Sequence, residues 1–206
     1  MKKKEIVIIG VVALVLIFSF IFLVFWQRKP QPPILDEKKV ISLPFLKKTD
    51  LPFEVIEEFD SKVLSLKNPD LLLEFLNENF TLDLGERKIA LEPEVLFHLK
   101  KGTVEDFAVF SLYVLDFHKY ESGILRYQAK NEEKLHTLVV FRDKDQPKYI
   151  YFEEGKAKIG LAGNSFDDLM KIEEKRIGKK ILRYGAILKG NLDMTPKNWV
   201  ERHKIL

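Results

Sequence analysis

The chain contains no cysteine. That absence removes disulfide frameworks, cysteine-held zinc or iron–sulfur centres, a lipoprotein-type cysteine anchor and every thiol nucleophile. Glycine and proline are also sparse, ten and nine in 206 residues, which excludes collagen-like and low-complexity chains. Neither sign of charge dominates, with 34 Lys and Arg against 31 Asp and Glu. What is present is apolar: 46% of residues are hydrophobic and sixteen are Phe, too many for a disordered chain. The length suits one domain of ordinary size with appendages.

The small basic excess is local. Residues 1–33 carry a net +4, so the remainder is close to neutral and gives no argument for nucleic acid as a partner. Within the remainder, residues 34–155 sum to −7 and residues 156–206 to +6. Two outcomes follow from such halves: they attract each other inside one fold, or they present a basic face outward. The run Lys171, Lys175, Arg176, Lys179, Lys180, Arg183 is the place where the second would show, as a surface for anionic lipid or polymer.

Ile6 to Trp26 runs 21 residues without a charge. As a helix it would be about 31 Å long, enough for a hydrocarbon core of about 30 Å. The run exceeds a signal-peptide core of about 7–15 residues, and no small-x-small cleavage site follows it. We read an uncleaved anchor behind a short basic N-terminus, residues 1–5. Lys2, Lys3 and Lys4 outweigh Arg28 and Lys29, which places the N-terminus inside and the body outside the cytoplasmic face. A spacer over 27–49 contains Lys29-Pro30-Gln31-Pro32-Pro33, which is extended and stiff.

From Asp50 to the end the pattern reads as one α+β domain. Pro52 opens a helix with Phe53, Ile56 and Phe59. Asn68 caps and Pro69 starts a second helix, and Glu92-Pro93 opens a short third. Thr103 with Asp106 forms a capping-box start for VEDFAVFSLYVLDFHKY, whose wide apolar stripe makes it the central buried helix. After Gly123 the segments ILRYQA, LHTLVVF and YIYF read as strands, with a turn over Asp143–Pro147. A helix from Phe166 to Arg176, capped by Ser165 and ended by Gly178, follows, and ILRYGAIL is a weaker fourth strand.

The stretch GTVEDFAVFSLYVL, Gly102 to Leu115, resembles the core motif of the transglutaminase-like, papain-like cysteine superfamily. That motif is Gly-x-Cys-x-Asp-aromatic-Ala opening a central helix packed on an antiparallel sheet. The order helix, strand, His-bearing strand, strand is similar too, with His136 in LHTLVVF, and the likeness spans about Pro93 to Glu154. By this resemblance the triad positions fall on Val104, His136 and Phe152. A thiol nucleophile uses the helix N-terminus to favour thiolate, and the acid orients the imidazole. Valine has no lone pair and phenylalanine no carboxylate, so the resemblance implies a degenerate member, a fold without the activity.

The expectation is therefore a membrane-anchored, catalytically inactive transglutaminase-like domain, without cofactor or metal. Its expected ligand cleft is lined by Gly102, Thr103, Val104, Glu105, His136 and Tyr151, with an extracytoplasmic peptide, protein or cell-wall polymer as partner. The bland reading of His136 is a half-buried strand residue bonded to backbone. One alternative is a hydrolase or acyltransferase in which Thr103 attacks with His136 as base. Another is a structural subunit of a membrane assembly. The four histidines show no metal-ligand spacing, and GLAGN lacks the Gly-Lys-Ser/Thr ending of a phosphate loop.

Overall fold

Every helix start that the sequence marked with a cap is a helix start in the computed structural model, which describes residues 46–83 and 85–202. The expected anchor over Ile6–Trp26, its basic flank and most of the expected spacer lie outside the described residues. No helix among the described residues is long and apolar enough to cross a membrane. The described residues belong to one compact unit, Pro44–Leu206, which begins ahead of Asp50. A 3-10 turn at Lys48–Asp50 ties this early part down, because the Lys48 ammonium meets the Glu94 carboxylate at 2.6 Å.

The helices are α1 (Phe53–Ser65), α2 (Pro69–Asn79), α3 (Pro93–Leu99), α4 (Val104–Phe117) and α5 (Phe166–Ile177). The Asn68 side chain accepts from the Leu71 N–H at 2.9 Å, and Pro69 takes the first helical position, where no N–H is needed. Ser165 caps α5 in the same way at 3.1 Å, and Gly178 ends it with φ 69°. The central helix stops at Phe117, one turn sooner than its apolar pattern, because Lys119 turns left-handed at φ 66°.

The strands are β1 (Thr81–Leu82), β2 (Lys101–Gly102), β3 (Glu121–Ala129), β4 (Leu135–Asp143), β5 (Gln146–Glu153), β6 (Lys156–Leu161), β7 (Ile181–Ile187) and β8 (Trp199–Glu201). β1 and β2 form a small parallel pair, and the other six form one sheet in the order β6-β5-β4-β3-β7-β8 with every neighbour antiparallel. The β4–β5 turn is tighter than the Asp143–Pro147 segment read from sequence. Lys144 and Asp145 alone make it, at φ 47° and 68°, and Gln146 and Pro147 already belong to β5. A second turn of the same kind, Glu154-Gly155, leads into β6.

Helices cover both faces of the sheet. On one face Ile124, Val139 and Ile150 pack with Phe59, Leu96, Phe110 and Leu115 of α1, α3 and α4. On the other, Leu125, Tyr127, Leu138 and Tyr149 pack with Leu169 and Met170 of α5. Strand alternation thus assigns each sheet residue to the α4 side or the α5 side.

Candidate functional site

The resemblance directs attention to the N-terminus of α4. Gly102 leads into it because nothing larger fits: a Cβ there would lie 2.5 Å from the Leu96 side chain and 2.9 Å from that of Asp106. Thr103 and Asp106 are both buried and close the expected capping box. The Asp106 carboxylate accepts the N–H groups of Leu91 and Thr103, each at 2.7 Å, and the Thr103 hydroxyl at 3.2 Å, with the Arg87 guanidinium at 3.1 Å. Burial pushes this carboxyl up from its ordinary value, while the two backbone donors and Arg87 pull it back.

Beyond the cap, Glu105 turns inward and is 1% exposed. Arg126 of β3 donates to its carboxylate at 2.8 Å, to the Thr137 hydroxyl at 3.1 Å and to the Met194 carbonyl at 2.8 Å. One ion pair therefore joins α4, β3, β4 and the stretch before β8. Burial pulls the Arg126 guanidinium below its ordinary value, and the neighbouring Glu105 charge opposes that. The second Glu105 oxygen, Oε2, is buried with no hydrogen-bond partner among the described residues. Val104 itself is half-buried at the first helical position.

His136 is elsewhere. Its register partner is Tyr127, and the two rings stack at 4.7 Å and 5°. Tyr127 belongs to the α5 side, where its hydroxyl donates to the buried Glu173 at 2.9 Å. The His136 Nε2 bonds to the Glu132 carboxylate, which also receives the Lys179 ammonium. Those two partners, His136 first, hold the Glu132 carboxyl below its ordinary value. His136 is a half-buried strand residue, as the bland reading had it, but its partner is a side-chain carboxylate and not backbone.

Of the remaining candidates, Tyr151 lies on the α5 side under the Arg176 guanidinium, 4.4 Å from its ring centre. Phe152 lies on the α4 side, its ring 6.0 Å from that of Phe107. β4 and β5 stay paired only as far as Val139 and Ile150, so His136 and Phe152 stand on strands that have parted. The structure therefore brings Gly102, Thr103 and Glu105 together, with Phe152 on the same side of the sheet. It directs His136 and Tyr151 to the opposite face, so the six expected cleft residues do not line one cleft.

At the α4 terminus and along the helix the hydroxyls are engaged within the fold. The Thr103 hydroxyl donates to Asp106, and the Ser111 hydroxyl is buried against the Phe107 carbonyl at 2.7 Å. No group of three or more His, Asp or Glu suited to a metal occurs among the described residues; His203 lies outside them. The basic run is mostly engaged as well. Lys171 pairs with Asp168, Arg176 with Glu173 and Glu153, Lys179 with Glu132 and Lys180 with Glu174, while Arg183 lies over Trp199. Glu132 and Glu153 come from the acidic half, so at these contacts the two halves meet inside the fold.

A concavity of about 410 Å³ lies on the α5 side, at the end of the strands away from His136. Gly123 and Val140 form its floor and Phe166 and Leu169 of α5 one wall. Sequence reading did not anticipate it, since it depends on the register of β3 against β4. No protein-family model matches the chain, and no curated protein matches it.

Proposed function

We propose that this chain is a membrane-anchored, catalytically inactive transglutaminase-like domain that binds a peptide, protein or cell-wall polymer outside the cytoplasmic face. One observation carries the inactive part of that reading. At the helix terminus where such a family attacks its substrate, Val104 supplies hydrocarbon, and the adjacent Glu105 is locked to Arg126 at 2.8 Å. The polar side chains there bond to their own fold, Thr103 to Asp106, Asp106 to backbone and Glu105 to Arg126, with only Glu105 Oε2 left over among them. The α+β element order supports the kinship; the placement of His136 on the α5 side, away from Val104, does not. The anchor supports a tethered role, since 21 uncharged residues precede the domain.

The test is enzymatic and topological. The full-length chain in detergent should show no turnover of activated esters or of glutamine- and amine-bearing peptides. Turnover abolished by both Thr103→Ala and His136→Ala would establish a non-thiol hydrolase or acyltransferase instead. A C-terminal alkaline phosphatase fusion, active only outside the cytoplasm, should be active; a silent fusion with an active cytoplasmic reporter at the same point would overturn the orientation.

A further inference from the structure

The concavity beside α5 is remote from the α4 terminus and stands or falls independently of the reading above. Its floor is open because residue 123 has no side chain: a Cβ there would meet only Val140, at 3.9 Å. Pro147 and Phe166 line it too, Phe166 being 48% exposed with its ring 6.3 Å from that of Tyr184. Arg142 stands at the rim. Its Nε lies 3.2 Å from Glu121, a carboxylate 81% exposed, and its two terminal nitrogens have no partner among the described residues. A guanidinium so placed keeps its bidentate fork free for a carboxylate, and an ion pair that exposed is readily exchanged. Gly163-Asn164 also line the cavity as a lip, and their main-chain N–H and C=O groups bond to nothing among the described residues. The α5 terminus itself is not the anion site, because Ser165 and Asp168 already occupy it.

We infer that this groove binds the C-terminus of a peptide ending in a branched apolar residue. The terminal side chain fills the space over Gly123 against Val140 and Phe166. The terminal carboxylate bonds to the free terminal nitrogens of Arg142, and the preceding main chain pairs with Gly163-Asn164. The unpartnered guanidinium nitrogens of Arg142 select the carboxylate end, and the free main chain on the lip selects a peptide over a free amino acid.

Calorimetry on the full-length chain in detergent, with N-acetyl-Ala-Ala-Leu as the probe, tests this. A Kd of about 0.1–1 mM is expected for a ligand of that size. The C-terminal amide of the same peptide should bind at least about tenfold more weakly, since the charge-assisted pair is lost. N-acetyl-leucine should also bind at least about threefold more weakly than the tripeptide, for want of main-chain hydrogen bonds. Arg142→Gln should lower the acid to the amide's affinity and leave the amide unchanged. Gly123→Val, which a strand accommodates, should abolish binding of both. Should that variant fail to fold, Phe166→Ala, on an exposed side chain, should still weaken binding by at least about threefold. Equal affinity for acid and amide, equal affinity for tripeptide and N-acetyl-leucine, unaltered binding in the Gly123 or Phe166 variant, or no saturable heat would each overturn the proposal.

Discussion

Glu105 and Arg126 show how a single buried contact decides what the α4 terminus can do. Removing one partner of a desolvated ion pair leaves the other charge stranded, a loss of about 3–5 kcal/mol. Arg126→Met should therefore lower the denaturation free energy by about that much. The double variant Glu105→Met with Arg126→Met should recover much of it, which paired urea titrations would measure. Glu132 sets a pH dependence of the opposite kind from a buried acid. Its carboxyl is held below the ordinary value of 4.5 by His136 and Lys179, so the stabilisation is fully present above that value and is lost as pH falls through the depressed one. The stability gap between the native chain and Glu132→Gln should accordingly be widest above 4.5 and shrink as the solution is acidified, when melting temperatures are compared at each pH. Asp106, shifted upward by burial, contributes with the reverse sign: the folded state holds its proton more tightly, so ionising it opposes folding.

At the scale of elements, helix caps were legible, while strand register and the exact turns were not. Asn68-Pro69, the Thr103 and Asp106 pair, and Ser165 with Gly178 each mark a boundary through local chemistry that needs no tertiary partner. β6 was missed because KAKIGL has little β-branched content. It is a strand because Glu154-Gly155 folds it onto β5, and Asn77 of α2 bonds the outward N–H and C=O of Ala157 at 2.8 and 3.0 Å. The facing of His136 could not be read for the same reason: a period of two assigns alternate residues to opposite faces without saying which face meets α4. Arg126 inside ILRYQA was the overlooked signal, a charge in an otherwise apolar strand that requires a buried partner. The β4–β5 turn puts two non-glycine residues at positive φ, where L-residues are strained. Lys144→Asn with Asp145→Gly, the residues this turn type prefers, should raise stability by about 0.5–1 kcal/mol in thermal melts. Ser165→Ala, which removes the α5 cap, should lower it by about 1 kcal/mol.

For the whole molecule, we propose that one α+β unit engages the polar side chains of the α4 terminus in structure and leaves recognition to the remaining surface. Restoring a thiol is the most direct challenge to that account, and a cysteine-free chain makes the result unambiguous. Val104→Cys should yield one alkylatable residue and no turnover of activated esters above the rate of the same chain with His136→Ala, because the imidazole is held by Glu132 and Tyr127 on the other face of the sheet. Ester turnover in Val104→Cys that disappears when His136 is replaced would show that the two positions still meet, and would contradict the account.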